Sequence, residues 1–252
     1  MSPTRHLYAS VAFVFGIACS GDELRQDAYD ATGVRTLRVA STSDGNLLVG
    51  LAVRPSSEEQ PFDLNISGFF EPDDVRVERS GDVLSITHRG DRNVDVNGFV
   101  PALAAIEARG VRFAELTVGA GAMVDSIDCT DSGVEVDYEA LDSGDVSFVG
   151  SNCQLIVESS GRGFTVRGTA TNSGVRLDAL GSFDISLEDG ALVGADTNGG
   201  ADSLRLTRSS ALICPRGEID IVARDESRAE LLCEPTRLGE DVDDSSEIVR
   251  FF

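Results

Sequence analysis

Few residues in this chain can do chemistry. His88 closes the apolar run Val83 to Ile86 at a strand end, and the other histidine, His6, lies in an amino-terminal leader. With no second His to share a metal and no GxSxG phrase to supply a nucleophile, His88 has a surface or structural role. Asp125, Asp128, Asp131, Asp137, Asp142 and Asp145 crowd one short stretch. Grouped carboxylates can cleave polysaccharides when set at the right separation, although solvent-facing acids at turns are the plainer account. Asn198-Gly-Gly-Ala-Asp-Ser-Leu204 faintly resembles a calcium-binding nonapeptide, but it lacks a third glycine and does not recur in tandem. The chain has no Lys, which excludes Schiff-base chemistry and a Walker-type phosphate loop. On these grounds no catalytic residue, cofactor site or metal site is assigned.

The cysteines are more informative. Cys129, Cys153, Cys214 and Cys233 form an even set in a chain that carries an export-type leader, and they contain no CxxC phrase for zinc. The spacing favours Cys129–Cys153 and Cys214–Cys233, each spanning about one turn of a stacked repeat. Four buried free thiols are the alternative, with Cys129 and Cys214 on inward-looking positions.

Residues 1–18 read as a signal peptide, with Arg5, an apolar core from Val11 to Ile17 and the small Ala18 before the cut. Gly16-Ile17-Ala18-Cys19 resembles a bacterial lipoprotein processing box, which implies acylation of Cys19 and a membrane contact through lipid alone. Ser20 after the cysteine resembles an outer-membrane address. The other readings of this segment are plain secretion and an uncut membrane helix. Residues 19–33 follow as a polar tether. The tail, residues 237–252, reads as acidic and disordered, with Ile248 to Phe252 able to return as a capping strand. A formal charge of −22 repels phosphate backbones, so nucleic acid is excluded as a partner.

These residues must be positioned by short strands. From Leu116 to Leu232 apolar pairs recur every 7 to 12 residues with one wider gap around Leu192, among them Val134/Val136, Leu155/Val157, Ile185/Leu187 and Leu212/Cys214. Turns rich in Gly, Ser, Asn and Asp separate them, including Asp131-Ser-Gly133, Asn172-Ser-Gly174 and Asp189-Gly190. Alternation gives each unit one buried face, which a unit so short can bury only by stacking on another. In the turns, Gly accepts positive φ while Asn, Asp and Ser bond back to the backbone. Residues 34 to 103 alternate without a helical period, so the class is all-β. Turn chemistry alone leaves open whether the units form a solenoid or an antiparallel β-sandwich.

The phrases Val75-Arg-Val-Glu-Arg-Ser-Gly-Asp-Val-Leu-Ser-Ile86, Val100-Pro-Ala-Leu-Ala-Ala-Ile-Glu-Ala-Arg-Gly110 and Glu158-Ser-Ser-Gly-Arg-Gly163 resemble the auto-transporter adhesin head GIN domain family. The resemblance covers roughly residues 34–236 and closes at Leu232-Cys-Glu-Pro235. It implies an exported bacterial protein with a right-handed parallel β-helix, and it brings no catalytic residues. The expectation is a non-enzymatic scaffold or adhesion-type module on the cell envelope that meets a surface protein or glycan. An enzyme acting on polysaccharide and a purely structural lipoprotein are the alternatives.

Overall fold

The computed structural model describes residues 24–42, 46–55, 61–139, 143–159, 163–178, 181–197 and 200–252. In it, alternation of apolar residues becomes alternation of burial: Val134, Val136 and Tyr138 turn inward while Glu135 and Asp137 face solvent. The amino-terminal part holds β1 (Arg25–Asp30), β2 (Thr36–Ser41), β3 (Leu47–Arg54), β4 (Asp63–Gly68), β5 (Val75–Ser80), β6 (Val83–His88) and β7 (Val94–Pro101). The remaining strands alternate between two sheets. The first sheet takes β8 (Leu103–Arg109), β10 (Val124–Thr130), β12 (Ser143–Ser151), β14 (Gly163–Thr171), β16 (Ser182–Glu188), β18 (Ala201–Thr207), β20 (Glu218–Arg224) and β22 (Arg237–Val242). The second takes β9 (Arg112–Val118), β11 (Gly133–Tyr138), β13 (Gln154–Ser159), β15 (Gly174–Asp178), β17 (Ala191–Thr197), β19 (Ser210–Pro215), β21 (Arg228–Leu231) and β23 (Glu247–Arg250).

From β8 onward each strand pairs in parallel with the strand two places on, which makes a right-handed β-solenoid. One coil takes 17 to 21 residues, since Thr165 pairs with Ser182 and Ser126 with Ser147. The repeat of about ten residues seen in the sequence is therefore half a coil. Inward positions stack into columns such as Ile106, Ile127, Phe148, Gly168, Ile185, Leu204 and Ile221, with the Phe148 ring lying against the bare Gly168. Each buried Leu, Ile or Phe contributes roughly 1.5–3 kcal/mol, and the rungs above and below supply the cover that no single rung has.

The amino-terminal part breaks this order. The β2–β3 coil lies between the β6–β7 coil and the β8–β9 coil. Among the described residues, antiparallel pairing is confined to β1–β4, β4–β7 and β5–β6 at that end, so the sandwich alternative is not the fold.

Four expectations change. The stretch read as a tether contains β1, and the stretch read as an acidic tail runs as β22 and β23, the latter overlapping the return strand expected from Ile248, because sheet edges offered unpaired backbone groups that outweighed local polarity. Leu212 and Cys214 face outward on β19, where Ala211, Ile213 and Pro215 are buried. Four successive apolar residues leave the phase undecided, and pairing with β17 across a register shift at Val193/Ala195 selects it. Finally, the positive φ in Asp131-Ser-Gly133 and Asn172-Ser-Gly174 belongs to Asp131 (49°) and Asn172 (50°) rather than to the glycines.

Candidate binding surface beside the polar corner

The chain passes from the first sheet to the second through a two-residue corner repeated up the solenoid. Its first residue is left-handed: Gly110, Asp131, Asn152, Asn172, Asp189 and Arg208 have φ between 48° and 61°. Short polar side chains tolerate this region because they can bond locally. Asn152 donates to Asp131 at 2.8 Å and Asn172 to Asn152 at 2.5 Å. Arg208 departs from the pattern, and its guanidinium holds Asp189 at 2.6 and 2.8 Å and Glu188 at 2.8 Å.

The last corner residue is buried wherever it carries a side chain in the column Ser132, Cys153, Ser173, Gly190, Ser209 and Ser227, the corner before Arg228 having three residues rather than two. Each serine hydroxyl works twice. Ser209 Oγ accepts from Gly190 N–H at 3.0 Å and donates to the Thr207 carbonyl at 2.7 Å. Ser173 does the same for Cys153 N–H and the Thr171 carbonyl. These bonds satisfy backbone groups that the corner would otherwise bury without a partner.

Cysteine replaces serine at position 153, and the bridge to Cys129 lies buried in this corner with a Cα–Cα distance of 6.1 Å. Cys129 pairs in register with Gly150, whose missing side chain leaves room for the bridge. The second bridge, Cys214–Cys233, spans 4.7 Å between Cα atoms on the outer side of the second sheet.

Beside the corner, the first outward column of the second sheet reads Arg112, Gly133, Gln154, Gly174. Gly133 is the floor of an open depression of about 490 Å³ lined by Asn46, Arg112, Asp131, Glu135, Asn152, Gln154 and Ile156. A Cβ on Gly133 would meet only Arg112 Cγ, at 3.9 Å, so the notch exists because that rung carries no side chain. Amides, a guanidinium and two carboxylates around one aliphatic surface suit hydrogen bonding to a polar, largely uncharged ligand. The sequence signal was present in Asp131-Ser-Gly133, where the glycine opens the surface and the aspartate makes the turn.

The five aspartates among the described residues do not form one site. Asp125, Asp128 and Asp145 lie on the outer face of the first sheet, where Asp145 is bonded to Arg167 at 2.7 Å. Asp131 is at the corner and Asp137 on the opposite sheet, while Asp142 lies outside the described residues. Among the described residues no three His, Cys, Asp or Glu side chains are grouped to hold a metal. In the nonapeptide-like phrase, Asn198 and Gly199 lie outside the described residues. Asp202 turns inward, accepting from Thr197 Oγ1 at 2.7 Å and Phe183 N–H at 3.0 Å. Burial pushes its pKa up to about 6, and the two hydrogen bonds oppose that shift.

His88 is fully buried at the end of β6, with Ser41 Oγ 3.2 Å from its Nδ1. Burial lowers its pKa, while the Asp74 charge and a backbone bond at Arg92 act the other way. The Ser41–His88 contact joins residues 47 apart and escaped the sequence reading. With its ring fully covered, His88 serves packing rather than proton transfer to a substrate. Cys19 lies outside the described residues.

No protein-family model matches the chain, and no curated protein matches it. Solved structures do. A candidate adhesin from Parabacteroides merdae ATCC 43184 is 10% identical, with 91% of this chain and 97% of that chain covered and a TM-score of 0.62. The chain shares its fold with a candidate adhesin. A candidate lipid-binding protein from Parabacteroides distasonis ATCC 8503 is 9% identical, with 92% and 98% covered and a TM-score of 0.58. At such identities the likeness concerns the solenoid and its length, and it transfers no residue roles.

Proposed function

We propose that this protein is an envelope-anchored, non-enzymatic surface scaffold or adhesion-type binding module of the GIN-domain kind. The leader 1–18 is removed, Cys19 is lipidated, and the stretch ahead of β1 tethers the solenoid to the outer membrane. The observation that carries the binding reading is the Gly133 notch, an open polar depression on a rigid sheet face beside the corner ladder. Extended solenoid flanks of this type recognise partners by surface complementarity rather than in a closed cavity. Its residues suit a glycan or an exposed polypeptide segment on a neighbouring surface.

The test is a glycan array and an envelope-extract binding assay with wild type and Gly133→Gln. Gln154 already occupies the next rung of that column, so the substitution fills the notch with a side chain the sheet accepts. Wild type should bind at least one array member, and the variant should bind it at least about tenfold more weakly. Absence of binding by wild type, or metal-dependent loss of polysaccharide viscosity, overturns the proposal. Palmitate labelling that disappears in Cys19→Ala tests the anchor separately.

A further inference from the structure

We propose that the carboxyl-terminal coil is a closed end, in which an inward-facing ion pair prevents a second copy of this chain from stacking onto the solenoid. The inward column of the first sheet runs Ile185, Leu204, Ile221 and then Glu240. The inward column of the second sheet runs Ala195, Ile213, Leu231 and then Arg250. Both columns are apolar and buried until the last rung, and both change there to a charge, of opposite sign. The two charges meet across the interior as a Glu240–Arg250 ion pair.

The same end has what coil-on-coil growth requires. Among the described residues β22 and β23 are the outermost strands of their sheets, and no described strand pairs with one row of backbone groups on each. Leu238 and Ile248 sit half-buried against the core end, while Leu232, Phe251 and Phe252 are exposed there. A parallel rung with a free edge and an apolar interior is a template for another rung. Docking a second copy in register would take both Glu240 and Arg250 out of water, and desolvating an ion pair commonly costs more than the added apolar contact returns. As the structure stands, each charge is satisfied by the other and remains partly solvated. This inference is independent of what the notch binds.

The experiment measures molar mass by light scattering over a wide concentration range. It uses the full chain carrying Cys19→Ala, so that no lipid drives association. The parent and the swapped pair E240R/R250E should both remain monomeric. E240L/R250L should show at least a twofold higher mass with an unchanged far-ultraviolet spectrum. If the leucine variant loses its β spectrum, E240A/R250A asks the same question with the same outcomes. A monomeric apolar variant, or a parent that itself assembles, overturns the proposal.

Discussion

The part of the molecule before β8 and the part after it are built from the same kind of strand and held in different ways. From β10 onward, every strand rests on the strand two places earlier in sequence, about one coil away, and one corner design recurs from Asp131 to Arg208. Before β8, the first coil to appear in sequence is the second in space. β2 pairs with both β6 and β8, so Arg38 reaches Glu107 across 69 residues. Antiparallel strands close this end, and close backbone approaches fasten them: a Cβ on Gly98 would lie 2.1 Å from the Asp63 carbonyl oxygen. Regular stacking thus spreads stability over many interchangeable contacts, whereas the irregular cap depends on a few that cannot be replaced.

Substitutions in the two parts should separate these modes. The largest loss is expected for Gly98→Ala, which combines a positive φ of 155° with a backbone clash and should cost about 4 kcal/mol in urea unfolding. A loss under about 1 kcal/mol would mean that the cap yields as easily as an ordinary rung. Removing the bridge within the regular part through Cys129→Ala/Cys153→Ala should cost about 3 kcal/mol. Cys129→Ala/Cys153→Ser should recover about 1 kcal/mol of this, because serine is the commonest residue of that column and satisfies the corner backbone there. Equal stabilities for the two double variants would contradict the serine-column account.

Asp202 adds a pH effect inside the regular part. Its folded pKa, about 6, lies above the ordinary value of 3.8, so its contribution to stability is fully present below pH 4 and is lost as pH rises through 6. Asp202→Asn should therefore gain about 2 kcal/mol relative to wild type between pH 4 and pH 7. Thermal melts that differ by the same amount at both pH values would rule this out. The smallest loss, about 1.5 kcal/mol, is expected for Ser209→Ala, which leaves the Gly190 N–H buried without its acceptor. Accelerated hydrogen exchange should be confined to Gly190 and its neighbours, and spread through the amino-terminal cap would mean that the two parts are more tightly coupled than their contacts imply.

By itself, the sequence determined the period-two alternation, the small polar corners, the all-β class and a cysteine spacing compatible with one coil. These are local properties: side-chain direction and turn chemistry depend on neighbours a few residues away. Turn chemistry did not separate a solenoid from a sandwich, since hairpins use the same turns. Tertiary structure alone decided the rung order of β2, β6 and β8, the phase of Leu212 and Cys214, and the notch over Gly133. It also decided the meeting of Glu240 with Arg250, which the sequence presents as two ordinary charges in an acidic tail. The physical reason is that a strand edge offers the same donors and acceptors to any partner, so the choice among partners rests on side-chain packing between distant segments, which no local pattern encodes.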